Sequence, residues 1–500
     1  MTKLGGVALL NIHRLVYRSP DIAWYTMTTH LLSVIRLSSA PQAIRVQASR
    51  VLNEILLVVP RNLTGTGDLQ AQVQRRVLDV LAQQVVPETS VSAASSNTSI
   101  ELRRMGLETL HQILQSSGHT LVVGWETIFH MLESVCRPAL PVRSASSDDS
   151  VPVSSQPPSP VSRLKPLPSG LGLGVPNDKG HSSLVKIAFL SLKLVCDSIS
   201  SLVPEHLRLC ISTLGQFGRQ SDTNIALTAA ASLLWSVSDA IQAKRKNAEQ
   251  EPQYSELWMF LLSEELGLCT DARPEVRDGA IQTLFRTMQL YGSTLSAETW
   301  DQCIWKITFP LLDALTVEIR QQAAVGDVEM SEETSWDESK ILALQSIGAI
   351  FHEFLVSRIM TLESFPTAWE MFVRHIQDSV LLDNRPISAP ALRCLEKSIK
   401  ASSAARDEAK LRIDGVHAQV WGLIDALGNA VLRRAEEPSP SETTPRSPFT
   451  QESLIAFVNV IQCTRSISRS AEGEEWQLER LTRLMAILKG KLSLINLCHG

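Results

Sequence analysis

Apolar residues recur at three- and four-residue steps in 22–37, 44–59, 102–114, 184–203, 225–241, 276–290, 340–360, 367–382 and 478–495. That period puts them along one face of an α-helix, so each stretch is predicted helical. Start signals agree. Pro20-Asp21, Pro204-Glu205 and Pro274-Glu275 each set a proline at a first helical position, where the missing N–H costs nothing, and an acid beside it at the positive end of the helix dipole. Ser335-x-x-Glu338 fits a capping box opening a further helix. No Asn-Gly or Asp-Gly hairpin joins apolar segments; Asp278-Gly279 falls inside a helical pattern.

Between the periodic stretches the composition changes. Residues 137–183 run through a Ser/Asp tract, Gln156-Pro157-Pro158-Ser159-Pro160 and the Gly170, Gly172, Gly174 series. Such a segment cannot bury enough apolar area to order itself, and is predicted to be a disordered linker. A second Ser/Thr-Pro linker is predicted over 434–452, and an acidic loop near 321–335. The expected organisation is therefore helical repeats over 1–136, a repeat array over 184–433, and C-terminal helices over 453–500. The three glycines lack the preceding strand and following helix that a dinucleotide loop needs, so they read as linker.

One short pattern repeats within the helices: an aliphatic residue, Arg, two residues, a small residue, three residues, Leu. Its fullest copy spans Asp271 to Leu284, with Pro274, Val276, Arg277 and Ala280 in place. Ile44-Arg45 with Ala48 and Leu52 repeats it, as does Leu102-Arg103 with Gly106 and Leu110; Ile225-Ala226 with Ala229 and Leu233 lacks the arginine. Positions one, five and nine share a helical face, the small residue admits a neighbouring helix, and the arginine at the edge can reach a carboxylate or carbonyl. The pattern resembles the second helix of HEAT and armadillo repeats, two-helix units that stack into a solenoid. The predicted fold is all-α, an armadillo-like stack of helical pairs interrupted by disordered linkers.

Composition narrows the function classes. Hydrophobic residues make up 44%, aromatics 5% and charged residues 20%, with a formal net charge of −5 and no basic stripe, which argues against a nucleic-acid partner. The eight cysteines stand singly, without zinc-ligand spacing, and read as buried reduced thiols. No run of about eighteen apolar residues marks a membrane span. His352-Glu353 is not followed by a second histidine at zinc spacing, and neither a nucleophile elbow nor a phosphate-cradling loop occurs. The adjacent acids Glu264-Glu265 and Glu332-Glu333 read as solvated surface, and His111, His119 and His130 are too widely spaced for a local metal site. No catalytic, cofactor-binding or metal-binding residue is predicted, and no cofactor or small-molecule substrate; the chemistry expected is protein binding. Tryptophans are the candidate anchors. Trp235, Trp258 and Trp305 are taken as candidates for a partner groove, against the alternative that they fill the core between helices, as Trp300 and Trp369 also would. Ser159, Ser439, Thr444 and Ser447, each followed by proline in predicted linkers, are candidate sites for a proline-directed kinase.

Longer blocks carry a family likeness. Asn224-Ile225-Ala226-Leu227-Thr228 followed by Leu233-Leu234-Trp235-Ser236-Val237-Ser238-Asp239 resembles the first helical homology block downstream of the catalytic domain in large Arf guanine-nucleotide exchange factors. Trp24-Tyr25-Thr26-Met27-Thr28, the segment from Leu257-Trp258 through Arg273-Pro274-Glu275-Val276-Arg277, Trp300 through Trp305-Lys306, Phe365-Pro366-Thr367-Ala368-Trp369-Glu370 and Glu479-Arg480-Leu481-Thr482-Arg483-Leu484 resemble the Mon-two (monensin-sensitivity) family. That resemblance implies a non-enzymatic scaffold related to the Arf exchange factors but without their catalytic Sec-seven domain. It would lie peripherally on trans-Golgi network and endosome membranes and act in vesicle-mediated transport, endocytosis and Golgi organisation. The partners implied are a Dopey-type scaffold, a phospholipid flippase and Arf-like GTPases, with direct regulation of such a GTPase as the alternative. The family's N-terminal region is not recognisable, and the sequence stops inside a helical block at Leu494 to Gly500, so a middle to C-terminal part of a longer protein, or a truncated gene product, is expected.

Overall fold

The computed structural model describes residues 20–62, 67–87, 97–136, 178–245, 251–325, 336–382, 386–402, 410–436, 450–468, 482–487 and 489. Among them every regular element is helical and no strand occurs. The chain parts into two compact units, 1–201 and 202–500.

The first unit contains α1 (Pro20–Arg36), α2 (Gln42–Asn62), α3 (Gly67–Val85), α4 (Asn97–Ser117), α5 (Trp125–Cys136) and α6 (Asp178–Asp197). Each odd helix packs on the even helix that follows it. The pairs then stack, so that α2, α4 and α6 form one layer and α1, α3 and α5 the other. Leu52, Leu56, Leu81, Leu107, Leu110 and Ile128 fill the seam and are almost wholly buried. Gly124 opens α5 with φ at +89°, a left-handed conformation that a side chain would strain.

The second unit repeats the scheme. Its helices are α7 (Pro204–Gly218), α8 (from Thr223 to Arg245), α9 (Glu251–Leu268), α10 (Pro274–Tyr291), α11 (from Ala297 to Val325), α12 (Trp336–Phe354), α13 (Phe365–Val380), α14 (Ser388–Ser402), α15 (Lys410–Glu436) and α16 (Gln451–Ser468). Even helices α8 to α16 pack side by side in one layer and odd helices α7 to α15 in the other. All four copies of the short sequence pattern fall on even helices, the second member of each pair: α2, α4, α8 and α10. Position one is buried in three copies, whereas Ile44 is half exposed because it lies in the first turn of α2, before the helix meets its neighbours.

Caps explain many boundaries. Pro204 and Pro274 stand at the first helical turn, the Asp222 carboxylate accepts from the N–H groups of Asn224 and Ile225 to open α8, and the Thr450 hydroxyl accepts from Ser453 N–H to open α16. The expected linker and loop limits move accordingly. Helix α6 starts at Asp178, inside the stretch read as linker, and Gly180 in its first turn lies against Ile100 of α4. The compositional break at 137–183 is therefore not where the units part: α6 packs back on α4 and α5. Helix α11 extends to Val325, and α15 to Glu436. Ser335, Glu332, Glu333, Cys498 and the proline-directed sites Ser159, Ser439, Thr444 and Ser447 lie outside the described residues.

Among the described residues, two helices contain a π turn. In α8, over Thr228–Leu233, Leu234 N–H reaches back five residues to Ala229 O; in α11, over Cys303–Thr308, Phe309 N–H reaches Ile304 O. The displaced carbonyls find side-chain donors: Thr283 of α10 donates to Ala231 O at 3.4 Å, and Thr308 to Cys303 O at 3.1 Å. Pro310, which has no N–H to offer the carbonyl four residues earlier, follows the second π turn directly. Helix α8 is the one helix among the described residues long and apolar enough to cross a bilayer, yet Ala226, Ala229, Ala230, Leu234 and Ile241 bury it as a core element of its unit.

Candidate functional site

The arginines of the repeated pattern hold helix ends. Arg277, wholly buried on α10, donates from Nη1 to the carbonyls of Asp271 (2.9 Å) and Ala272 (3.3 Å), just past the end of α9. Arg45 of α2 donates to Ile35 O in the last turn of α1 at 2.7 Å, and Arg103 of α4 to Val85 O, the last residue of α3, at 2.8 Å. Each arginine thus closes the C-terminal end of the first helix of its own pair, where unsatisfied carbonyls carry partial negative charge. The expected reach to a carbonyl is observed, but Arg277 sits in the interior and not at an edge. Asp271 folds the preceding turn by accepting from Arg273 N–H at 2.9 Å, and Arg273 reaches Gln220 O after α7 at 2.7 Å, so this turn also ties one pair to the previous one. Pro274 starts α10, and Val276, Ala280 and Leu284 are fully buried beneath it. The six signature residues are brought together, and their work is structural.

The tryptophans separate. Trp258 is 1% exposed, with its ring 5.3 Å from Tyr291, and fills the core; it is not a groove residue. It lies on α9, which has neighbours on both sides in its layer and α10 beneath. Trp305 is half-buried in the π turn of α11, edge-on to Phe309 at 5.3 Å. Trp235, also half-buried, stands two residues past the π turn of α8. Tyr291 of α10 stacks on it at 6.1 Å and an interplanar angle of 28°, and the Arg286 guanidinium lies 4.3 Å above its ring centre. The Tyr291 hydroxyl donates to Asp239 at 2.9 Å; burial, then this carboxylate, push its pKa to about 12. A rigid aromatic step therefore faces outward from the even layer, where α8 meets α10.

Buried charge is the feature that sequence reasoning missed. Glu265 was expected on the surface with Glu264, but on a helix adjacent side chains diverge by about 100°. Glu264 points outward and pairs with Arg219 at 3.1 Å, while Glu265 is fully buried, with neither oxygen hydrogen-bonded among the described residues. Burial raises its pKa well above the usual carboxylate range. Lys340 of α12 is likewise interior: its ammonium donates to the Thr316 hydroxyl and to Leu312 O, and burial lowers its pKa to about 8. Beside it His375 of α13 packs on Phe309 and lies 3.7 Å from Asp313; burial lowers its pKa more strongly than Asp313 and Asp378 raise it. The thiols of Cys136, Cys303 and Cys394 are pushed up to about 12 by burial, which leaves them unreactive.

The first unit carries a different concavity, which no sequence signal marked. Trp24, Tyr25 and Leu32 of α1 face Arg76, Asp79 and Val80 of α3 across an open groove of about 790 Å³, and Tyr25 stands 72% exposed at its rim. His111 meets Ser191 of α6 at 3.5 Å; it does not approach a metal set, and among the described residues no three His, Cys, Asp or Glu side chains converge as metal ligands.

The family profile described as the C-terminal region of Mon2 protein matches residues 243–444, from the end of α8 into the segment after α15. A protein MON2 homolog of Drosophila melanogaster is 26% identical over 442 residues, covering 82% of this chain and 23% of its own length. The human protein MON2 homolog is 26% identical over 455 residues, covering 82% and 23%. A brefeldin A-inhibited guanine nucleotide-exchange protein 2 of Arabidopsis thaliana is 24% identical over 341 residues, covering 63% and 19%. The chain thus spans about a quarter of the length of the curated relatives it matches. The chain is thus similar to MON2 proteins over most of its length, and the profile of their C-terminal region matches within its second unit.

Proposed function

We propose that this chain is a non-enzymatic scaffold segment that presents stacked helical faces to protein partners in vesicle-mediated transport between the trans-Golgi network and endosomes, with roles in endocytosis and Golgi organisation. The observation that carries this reading is the match to MON2 proteins across both units. The geometry is consistent with it. Half-buried Arg45 and buried Arg103, Arg277 and Lys340 are bound to carbonyls and hydroxyls between helices, which ties neighbouring helices of a repeat stack together. The outward features that support it are the Trp235 step and the α1–α3 groove, which place aromatic side chains at the surface, as protein interfaces do. The partners we assign are a Dopey-type scaffold, a phospholipid flippase and Arf-like GTPases, reached peripherally on Golgi and endosomal membranes. Isolation of the tagged chain from cells, with identification of its bound proteins, is expected to return Golgi or endosomal trafficking proteins; recovery of none would remove the reading.

The likeness to a guanine nucleotide-exchange protein favours a second reading, direct regulation of an Arf-type GTPase. A labelled-nucleotide release assay separates the two. Unchanged release in the presence of the chain is the scaffold outcome, and clear acceleration is the regulator outcome.

A further inference from the structure

Arg286 is exposed on α10, yet it is not a freely moving surface arginine. Its guanidinium rests on the face of Trp235, and Tyr291, whose hydroxyl donates to Asp239, stacks on the same indole. Cation–π contact immobilises the plane of the fork while leaving its N–H edges in solvent. Arg286 makes no hydrogen bond and no ion pair among the described residues, and Asp239, the acid built into this step, is occupied by Tyr291. One helical turn further along α10, Leu290 is 57% exposed, and Gln282 and Gln289 flank the strip.

We infer that the Trp235–Arg286 step with Leu290 is a docking site for an acidic segment of a partner protein, one carboxylate entering the Arg286 fork and an aliphatic side chain about one helical turn away covering Leu290. The charge argument selects this occupant. An ordered, unpaired guanidinium is complementary to a planar carboxylate and takes it bidentately, and pre-stacking removes much of the side-chain entropy cost of binding. The adjoining leucine adds apolar area that an acidic but purely polar segment would leave wet. The inference rests on the protein-scaffold reading and gives it a position: the even layer, where α8 meets α10.

The test pans a random dodecapeptide library, displayed on phage, on the immobilised 500-residue chain and measures the enriched peptides by fluorescence polarisation. Enriched peptides are expected to carry Asp or Glu with an aliphatic residue three or four positions away. They should lose at least about tenfold in affinity on Arg286→Ala, a loss typical of a truncated arginine hot spot. Arg286→Lys should recover only part of it, since an ammonium lacks the fork. Arg208→Ala is the matched control, because Arg208 lies over Phe260 at 4.1 Å in the other layer and should leave binding unchanged. An unaltered helical circular dichroism signal shows that the exposed-arginine variants keep the fold. Peptides that bind Arg286→Ala undiminished, or that depend on Arg286 without carrying an acid, overturn the inference and leave the scaffold reading standing. Arg286-dependent sedimentation with phosphatidylserine vesicles, in place of acidic peptides, overturns it as well.

Discussion

Arg277 and Ser339 meet in the core of the second unit: Arg277 Nε donates to the Ser339 hydroxyl at 2.7 Å, and that hydroxyl donates onward to Asp278 at 2.5 Å. The bond crosses from α10 to α12, neighbours in the even layer, while the other edge of the same guanidinium holds the carbonyls after α9 and its face covers Trp336 at 3.9 Å. One side chain therefore joins three helices. Arg277→Ala is expected to cost about 3 kcal/mol, since buried charge-assisted hydrogen bonds are lost and carbonyls are stranded. Arg277→Lys should restore less than half of that, because one ammonium cannot span both directions. Urea denaturation of the three proteins measures both.

Glu265 leads to a prediction of opposite sign. Its folded pKa is raised from the ordinary value of 4.5, so above that value the unfolded chain releases a proton that the folded chain retains. Stability from this residue is fully present below pH 4.5 and is lost as pH rises until the folded carboxyl ionises. Glu265→Leu should be more stable than the parent at pH 7, with a difference that shrinks as the solution is acidified. Denaturation midpoints from pH 4 to 8 show the trend; a pH-independent difference would rule out the titration account.

Lys340 titrates the other way. With its folded pKa lowered from 10.5 to about 8, the unfolded chain binds the extra proton between those values, so stability rises with pH across that window. Lys340→Met should remove the rise and stabilise the protein below pH 8 by up to about 3 kcal/mol. The Thr316 hydroxyl stays satisfied in the variant, since it donates to Leu312 O at 2.6 Å. Comparing parent and variant at pH 7, 8, 9 and 10 isolates the lysine from other groups.

Gly106 tests the role of the small residue. Three copies of the pattern carry alanine at this position, but a Cβ at Gly106 would stand 2.7 Å from Val85 Cγ2. Gly106→Ala should therefore cost about 1–2 kcal/mol by overpacking. Val85→Ala, itself destabilising at a fully buried position, should reduce the penalty of the alanine in a double-mutant cycle. Strict additivity of the two would show that the contact is not the cause.

The second helices of the pairs were legible because an aliphatic, an arginine, a small residue and a leucine at fixed spacing all answer to one geometry, as in Val276, Arg277, Ala280 and Leu284. Ile44 fits the same string and is exposed, since burial depends on where in the helix the string begins. Trp235 and Trp258 look alike in sequence, each in an apolar helical run, and only the packing of α9 against α10 and its layer neighbours separates a surface step from a core residue. Glu265 was hidden for a related reason: an acid pair gives no clue to which member turns inward when the helix has neighbours on two sides. Arg286 gave no motif at all, because its setting is built from residues on two helices, Trp235 on α8 and Tyr291 on α10.

The π turns at Thr228–Leu233 and Cys303–Thr308 each lodge one residue more than an α-turn would hold. Beyond each of them the helix face is rotated by about 100°, so Trp235 and Phe309 point where an uninterrupted helix would not have sent them. When relatives are aligned to this chain, a one-residue gap is to be expected in mid-helix at these two places, where ordinary gap placement favours loops. Deleting Ala231 should rephase Trp235 away from Arg286 without shortening either neighbouring loop, which makes the pitch of a single helix a dial for what the surface displays.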